Sequence, residues 1–381
     1  MGKILGYIYQ YFRKLDKALF AAVIILSVFS VVLLYSIVAN DAATIEVSSS
    51  LYRNQTVAIC AGAVIALIIS AADYHHLIKL WVLYAPLSII LVLLTFTSFG
   101  IEVESTGDRA WLDFGFGTIQ PSEVLKTAFV TTFALHLSKV GDRINEFKHV
   151  ILLCLHGAVP VVLIFLQGDD GTACVFLLIF AIMMYSAGIS LKYIIPCLIA
   201  VPVGVYFLWN YFMQSYQKMR FLVLFDEDLD PLGVGYQQRM SKIALGSGQV
   251  FGKGLFDGSY IALPEVSNDF IFTYVGQVCG FIGCLVVVVL LTFVAMKILA
   301  DSRIAKDLLG KYLCVGMFSI IAVHSVLNLG MVFGVMPVIG VPLPFLSQGG
   351  TSVLSLYIGI GLVMSTYSHS EKKYRVFYDA S

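Results

Sequence analysis

The stretch FIFTYVGQVCGFIGCLVVVVLLTFVAM, residues 270–296, contains no Asp, Glu, Lys, Arg or His. About 20 consecutive apolar residues form a helix long enough to cross the hydrocarbon core of a bilayer. Because this run is longer than that, it predicts a membrane-spanning helix. The residue directly before it, Asp269, is a carboxylate at the junction between this helix and the polar segment 211–268.

The composition extends this prediction to the whole chain. Of its 381 residues, 59% are hydrophobic and 13% are charged, whereas soluble domains are about 45–50% apolar and about 25% charged. We therefore expect an all-α polytopic membrane protein, a single domain over residues 1–381 built as a bundle of about ten transmembrane helices. The expected spans are 19–39, 55–72, 79–99, 122–138, 149–166, 172–189, 191–210, 270–298, 312–335 and 351–367.

The basic residues predict how these helices are oriented. When both termini and every second loop are placed in the cytoplasm, most of the 24 Lys and Arg residues fall there, as the positive-inside rule requires. The segments 1–18 and 368–381 are then cytoplasmic. The large loop 211–268 between spans 7 and 8 lies outside with Asp269, and so do the shorter outer segments 100–121, 167–172 and 337–350.

Asp269 has two interpretations at this point. A carboxylate is costly at hydrocarbon depth, so charged residues at or inside membrane spans usually face a cavity, pair with a cation or take part in chemistry. Asp269 could instead cap the helix that follows it, together with Ser267 and Asn268. The residues alone leave both interpretations open.

A second polar cluster opens the fourth predicted span. Its sequence is QPSEVLK, residues 120–126, in which Glu123 and Lys126 are three residues apart and share one face of the helix. An ion pair at the wet boundary would be structural and weak. Lys126, however, lies a full turn inside an apolar helix, where its ammonium needs a partner or an anion, and this favours a functional role. Trp111 in the preceding loop would, taken alone, be an interfacial aromatic.

Cysteine and histidine give no metal or redox signal. All seven cysteines fall in apolar spans without Cys-x-x-Cys spacing, which is typical of small buried hydrophobic residues. His75 and His76 are adjacent in a predicted cytoplasmic loop but lack a third ligand at zinc spacing.

Two Gly-x-x-x-Gly pairs, Gly276 with Gly280 and Gly330 with Gly334, are typical of close helix contacts. The second pair could also admit a partner's membrane helix. The glycine-rich segment 246–252 is one residue off the dinucleotide-binding spacing, so a loop is the better interpretation.

Taken together, six segments resemble the SEDS proteins (shape, elongation, division and sporulation). In chain order they are 107–113, 120–126, 167–173, 241–248, 263–272 and 336–352. The resemblance extends from about residue 15 to about residue 370, and it is greater to the elongation branch of the family than to the division branch.

The resemblance implies a peptidoglycan glycosyltransferase that polymerises lipid II, the undecaprenyl-pyrophosphate-linked disaccharide pentapeptide, for cell-wall elongation and cell shape. It implies a multi-pass protein of the bacterial cytoplasmic membrane that works with a class B penicillin-binding protein, the transpeptidase, whose stalk we expect on the loop 211–268. A divalent cation, Mg²⁺ or Mn²⁺, is commonly associated with the family. No organic cofactor and no nucleic acid are implied.

The family's essential acidic residue falls on Asp269, which we expect to act as general base, because a carboxylate with a pKa raised by a low-dielectric setting suits that role. The expected substrate-binding positions that match the family are Trp111, Glu123, Lys126 and, in the long loop, Arg220. Arg109 stands one place before the usual arginine and is a further candidate for the pyrophosphate charge. Other positions depart from the family pattern: Ala110, Gly168, Asp170, Met240, Val266, Ser267, Gln277 and Gln348.

Three alternatives stay open: a lipid II flippase, a division or sporulation paralogue, and a non-catalytic scaffold that activates its partner. The polar groups cluster on the predicted outer face rather than at the midplane, which favours outer-leaflet chemistry over transport. Fold alone does not prove activity, so the scaffold is not excluded.

Overall fold

A computed structural model gives the structure of residues 11, 13–40, 42, 49–102, 108–115, 117–230, 233–256 and 258–370. Most of the predicted cytoplasmic segments 1–18 and 368–381, and Gly107 of the first family segment, lie outside the described residues.

Each of the ten predicted spans coincides with a helix, so the prediction of an all-α polytopic membrane protein is confirmed. The helices are α1 (Lys17–Ala39), α2 (Ser50–Ala71), α3 (Tyr74–Lys79), α4 (Trp81–Leu94), α5 (Pro121–Val140), α6 (Phe147–Leu166), α7 (Asp170–Ala187), α8 (Leu191–Phe207), α9 (Ser215–Leu222), α10 (Val234–Ser247), α11 (Ile271–Ile304), α12 (Leu308–Val332) and α13 (Gly350–Ser368). Eight helices of the described chain are long and apolar enough to cross a membrane. The other two predicted spans are α4, which is shorter, and α5, which carries Glu123 and Lys126.

Helix α12 lies at the centre of the bundle. It packs against α5, α7, α11 and α13, while α13 packs along α2 and α11 also contacts α1. Three polar side chains of α12, Ser319, His324 and Asn328, are buried among its apolar residues. A buried polar group needs hydrogen-bond partners, so we expect each of these three side chains to be hydrogen-bonded inside the bundle.

Helix α8 is the opposite case. Among its described residues none is buried, and it continues into a π-helical turn, Leu208–Phe212. A helix that is apolar and exposed along its whole length is stable only in lipid. This helix therefore faces the bilayer.

Gly280 breaks α11 instead of making the predicted helix contact. Its φ of 63° and ψ of −162° are not helical, and a positive φ favours glycine. A loop fills the break: Phe281 N donates to Gln249 O at 2.8 Å, and Lys253 N donates to Gln277 O at 2.8 Å. The loop replaces helical hydrogen bonds that the break removes.

The pair Gly330 and Gly334 also packs within the chain rather than forming a face for a partner helix. A Cβ at Gly330 would lie 2.8 Å from Met336 Sδ, and Gly334, with φ +70°, lies against the Lys242 side chain. Of the two uses expected for these glycines, a contact for a partner helix or packing within the bundle, the structure favours packing within the bundle.

The segment 100–121, which is predicted to lie outside, contains a small sheet that the sequence analysis did not predict. Its strands are β1 (Gly100–Ile101), β2 (Trp111–Asp113) and β3 (Thr118–Ile119), antiparallel in that order, with Leu112 opposite both Gly100 and Ile119. Strands of two or three residues are too short to show a period-two pattern in sequence. The sheet holds Trp111 close to the start of α5.

The long segment 211–268 is structured as well. It contains α9, a 3₁₀ turn at Glu227–Leu229 and α10, and α10 packs against α11. The rest of the segment leads to Asp269.

Candidate active site

A cavity of about 480 Å³ opens at the end of the bundle that the sequence predicts to face outward. Its lining comes from the four predicted outer segments and from α9. The lining residues are Asp108, Ala110, Trp111, Thr118, Gln120, Gly168, Asp169, Asp170, Gly171, Arg220, Glu265, Asn268, Asp269, Ile339, Gly340, Pro342, Gln348, Gly349, Gly350, Thr351 and Ser352. The fold thus brings Asp269, Trp111 and Arg220, three of the predicted site residues, to one cavity.

Asp269 is fixed through its backbone, which leaves its carboxylate to the cavity. The Asn328 side chain donates to Asp269 O and to Val341 O, each at 2.8 Å. On the residue before it, Asn268 O accepts from Ser347 Oγ at 2.6 Å. Two buried residues on α12 and on the 333–349 loop therefore position this carboxylate.

Asp269 does not cap α11. The helix begins at Ile271, Phe270 is the N-cap, and among the described residues no side chain donates to or accepts from that cap. Asn268 Nδ2 instead donates to Glu265 Oε2 at 2.7 Å. Of the two interpretations of Asp269, the structure favours the one in which its carboxylate faces a cavity.

The cavity surrounds Asp269 with other carboxylates. Removal from water raises the pKa of Asp269 to about 7; the charges of Glu265 and Asp169 add to the rise, and Arg220 opposes it. An acid with a pKa near neutrality exchanges protons readily at physiological pH, which suits a general base. The Arg220 guanidinium, 5.5 Å from the Tyr216 ring centre, is the cation on the cavity lining.

Glu123 and Lys126 form a buried ion pair beside this cavity. Lys126 Nζ lies 2.6 Å from Glu123 Oε1, and both side chains are almost fully buried. Lys126 Nζ is also 2.8 Å from His324 Nε2, whose other ring nitrogen, Nδ1, is 3.2 Å from Pro342 O on the cavity wall. The ion pair is therefore linked to the cavity wall by the hydrogen bonds of His324.

His324 was missed by the sequence analysis, which found no metal or redox signal in the histidines. It lies inside the predicted span 312–335, and an ionisable residue inside a membrane span is a candidate functional residue by its cost alone. The sequence analysis used this criterion for Lys126; the same criterion applied to histidine would have identified His324.

Arg109 is the predicted site residue that the structure places elsewhere. Its guanidinium Nε donates to Glu102 Oε2 at 3.0 Å, and 43% of its side chain is exposed. Its backbone N–H donates to Gln167 O at 3.0 Å. The residue thus holds two outer segments together at the surface, outside the residues that line the cavity.

Several residues that depart from the family pattern have local structural roles. Gln277 pairs with the backbone of Ile261: its Oε1 accepts from Ile261 N at 2.8 Å and its Nε2 donates to Ile261 O at 3.1 Å. Gly168 has φ +88°, and a Cβ there would meet Asp108 Oδ1 at 2.5 Å. Asp170 accepts from Gln217 of α9, which ties α9 to the cavity rim.

The divalent cation expected from the family was tested against the residues present. Within the described residues, no three His, Cys, Asp or Glu side chains lie close enough together to hold a metal ion. The described residues form no three-ligand site of their own, so a bound Mg²⁺ or Mn²⁺ stays a prediction from the family resemblance.

The sequence matches the FtsW/RodA/SpoVE family, described as cell cycle proteins, over residues 16–372. It is 30% identical to the peptidoglycan glycosyltransferase MrdB of Escherichia coli (strain K12), over 93% of this chain and 94% of that protein. It is also 30% identical to the probable peptidoglycan glycosyltransferase FtsW of Trichlorobacter lovleyi, over 92% of each chain.

Two solved structures share the fold. One belongs to a peptidoglycan synthase complex that coordinates polymerization and crosslinking, with a TM-score of 0.78, 24% identity and coverage of 93% of this chain and 97% of that one. The other is the rod shape determining protein RodA of Thermus thermophilus, with a TM-score of 0.69, 22% identity and coverage of 94% and 98%. Together with the sequence match, they show that this chain belongs to the FtsW/RodA/SpoVE family of cell cycle proteins, the SEDS family.

Proposed function

We propose that this protein is a peptidoglycan glycosyltransferase that polymerises lipid II, with Asp269 as general base. The enzyme class follows from relatives that carry this activity in their names and match nearly the whole chain. The observation that supports the substrate is the junction of two cavities. The polar cavity around Asp269 and an apolar groove of about 500 Å³ share Thr351.

The apolar groove runs between α4 and α13 over the surface of α5. Most of its lining residues are aliphatic, including Leu91, Val124, Leu354 and Ile358. A lipid-linked sugar needs a polar site for its head group and an apolar path for its tail. The groove supplies that path from the bilayer to the cavity that holds Asp269.

The chemistry is a single displacement at the anomeric carbon. Asp269 takes the proton of the acceptor hydroxyl as its oxygen forms the new glycosidic bond. The bond from the anomeric carbon to the pyrophosphate oxygen breaks, and the configuration inverts. The departing lipid pyrophosphate keeps the electron pair, and its negative charge is stabilised by Arg220 on the lining and by Lys126 behind the wall.

The alternatives are less well supported. A flippase needs a polar path near the midplane, whereas the carboxylates, Arg220 and the Lys126 pair gather at one end of the bundle. A scaffold without activity has no need of a half-buried carboxylate whose pKa is raised to about 7 in a cavity.

We also propose a class B penicillin-binding protein as the partner and a cytoplasmic location for both termini. The solved relative in a peptidoglycan synthase complex supports a transpeptidase partner. The segment 211–268 exposes 90% of Phe225 and 81% of Phe251, and large exposed aromatics are typical of interaction surfaces. The same segment also presents charged groups at its surface, where Arg239 Nη1 lies 3.5 Å from Asp228 Oδ1.

The proposed function is tested with the purified protein in proteoliposomes and labelled lipid II, alone and with a class B penicillin-binding protein. We expect glycan chains resolved by gel electrophoresis, and more of them when the partner is present. Transbilayer movement of lipid II without any polymer would support the flippase. No polymer with or without the partner, together with a raised crosslinking rate of the partner on added glycan strands, would support the scaffold.

A further inference from the structure

The ammonium group of Lys126 is held from two sides by buried side chains. Its Nζ is 2.6 Å from Glu123 Oε1 and 2.8 Å from His324 Nε2. The three residues are 2%, 3% and 4% exposed, for Lys126, Glu123 and His324 respectively. Such burial makes each of these hydrogen bonds costly to leave unmade.

The hydrogen bonds define the state of His324. A backbone carbonyl only accepts, so the contact of 3.2 Å to Pro342 O puts a proton on His324 Nδ1. A neutral imidazole has one donor and one acceptor, and Nε2 is then the acceptor for an N–H of the Lys126 ammonium. A protonated imidazole would instead point an N–H at that ammonium.

These contacts use two of the three N–H groups of the Lys126 ammonium. Within the described residues, Lys126 donates to Glu123 and to His324, and an ammonium has three N–H groups. Burial raises the pKa of Asp169 on the cavity lining, and the positive charge of Lys126 opposes the rise. Lys126 is therefore close enough to the cavity for its charge to act on Asp169, a residue of the lining.

One face of α12 positions both the cation and the base. His324 contacts Pro342 O, and Asn328, one helical turn later, donates to Val341 O and to Asp269 O. The loop 339–342 on the cavity wall is held between these two side chains. The distance between Lys126 and Asp269 is thus set by a single rigid element.

We propose that His324 is a positioning residue, which accepts a hydrogen bond from Lys126 and donates one to Pro342 so that the ammonium faces the pyrophosphate of the bound lipid. This inference rests on the proposed function. It deepens that function by naming the group that aims the cation at the leaving group.

Two substitutions separate positioning from packing. Glutamine has an amide N–H to donate to Pro342 O and a carbonyl to accept from Lys126, so His324→Gln should keep both contacts. His324→Leu fills similar space but provides neither. Ser319→Ala, on the same helix, is the matched control, because the Ser319 hydroxyl donates only to carbonyls of its own helix, Val315 O and Gly316 O.

The kinetic test measures kcat and KM for lipid II polymerisation with the full-length protein. We expect His324→Leu to lower kcat about 100-fold, the size of effect that a misplaced catalytic group produces, with a smaller change in KM. His324→Gln should keep most of the wild-type kcat, and Ser319→Ala should be unchanged. Wild-type kcat in His324→Leu, or equal losses in His324→Gln and His324→Leu, would overturn the proposal.

A second readout does not depend on activity. In the ¹⁵N spectrum of histidine-labelled protein, the signal that disappears in His324→Gln should show a protonated Nδ1 and an unprotonated Nε2. The opposite tautomer or an imidazolium would overturn the inference, even if His324→Leu fails to fold. A wild-type protein that makes no polymer refutes the proposed function instead, and the spectrum then still tests the contact between Lys126 and His324.

Discussion

Asn328 Nδ2 donates a hydrogen bond of 2.8 Å to the backbone carbonyl of Asp269, which ties the proposed base to the centre of the bundle. The same amide donates to Val341 O at 2.8 Å. Asn328 is fully buried at 0% exposure. The position of the proposed catalytic carboxylate is therefore set from a core helix rather than from its own loop.

Asn328→Leu should lower both stability and kcat. The substitution leaves two carbonyl groups without their donor, and each unsatisfied group costs about 1–3 kcal/mol when buried. We expect a lower melting temperature and, because Asp269 loses its anchor, a loss of kcat in the variants that still fold. Thermal unfolding and polymerisation assays measure the two effects. A folded variant with wild-type kcat would contradict the positioning role of Asn328.

Lys126→Met should destabilise the protein strongly because it leaves the Glu123 carboxylate buried without a cation. Breaking a buried ion pair in this way costs about 3–5 kcal/mol. Lys126→Met combined with Glu123→Gln removes both charges and should recover most of the melting temperature. Polymerisation should remain lost in the double variant, since the cation for the leaving group is missing. If the double variant recovers activity as well as stability, the pair is structural only.

The pH dependence of the reaction should report Asp269. The base works when ionised, so kcat/KM should rise with pH through about 7, the value to which burial raises its pKa. Glu265→Gln removes a like charge and should move this midpoint to lower pH. A rate that is flat between about pH 6 and about pH 8, or a midpoint that rises in Glu265→Gln, would count against the assignment.

Asp269 should also make the stability of the protein depend on pH, but stability should fall with rising pH whereas kcat/KM should rise. The folded-state pKa of about 7 lies above the ordinary value of 3.8, so the folded protein holds this proton more tightly than the unfolded chain does. Its contribution to stability is present at low pH and is lost as the pH rises toward about 7. Asp269→Asn should remove this pH dependence from the melting curve.

Gln277→Met should loosen the segment that leads to Asp269. The side chain is fully buried and makes two hydrogen bonds to the backbone of Ile261, so the substitution should cost about 1–3 kcal/mol for the groups left unpaired. Gln277→Glu, which introduces the residue usual in the family, can make both contacts only as the protonated acid, which accepts from Ile261 N and donates to Ile261 O, so its melting temperature should fall as the pH rises. Melting temperatures of the two variants compare these effects directly. Equal melting temperatures for wild type and Gln277→Met would refute the structural role.

The parts of this structure that sequence could predict are those that depend on local composition. Runs of apolar residues predicted the ten helices, because a helix that crosses the hydrocarbon core must be apolar along most of its length. Asp269, Glu123 and Lys126 were found because a charge in or beside such a run is costly wherever the fold puts it. The predicted topology placed four polar segments on one side of the membrane, but their convergence on one cavity became visible only in the structure.

The parts that sequence could not predict depend on distant partners. At Gly280 the helix is interrupted where residues 249–254 form hydrogen bonds with its backbone. The Gly-x-x-x-Gly pattern does not indicate that a distant loop packs there. Gln277 is explained only by its pairing with Ile261, 16 residues away. Arg109 forms an ion pair with Glu102. The small sheet beside these residues was not predicted because its strands are too short to recognise in sequence.

The most direct test of the central claim is lipid II polymerisation by Asp269→Asn beside Asp113→Asn. Asp113 is an exposed carboxylate on β2 outside the cavity lining, so its variant controls for loss of an outer negative charge. We predict that Asp269→Asn folds with a melting temperature near or above that of the wild type and loses at least about 100-fold in kcat, as removal of a general base requires. Asp113→Asn should retain wild-type activity. Glycan chains of normal length and yield from Asp269→Asn would contradict the account.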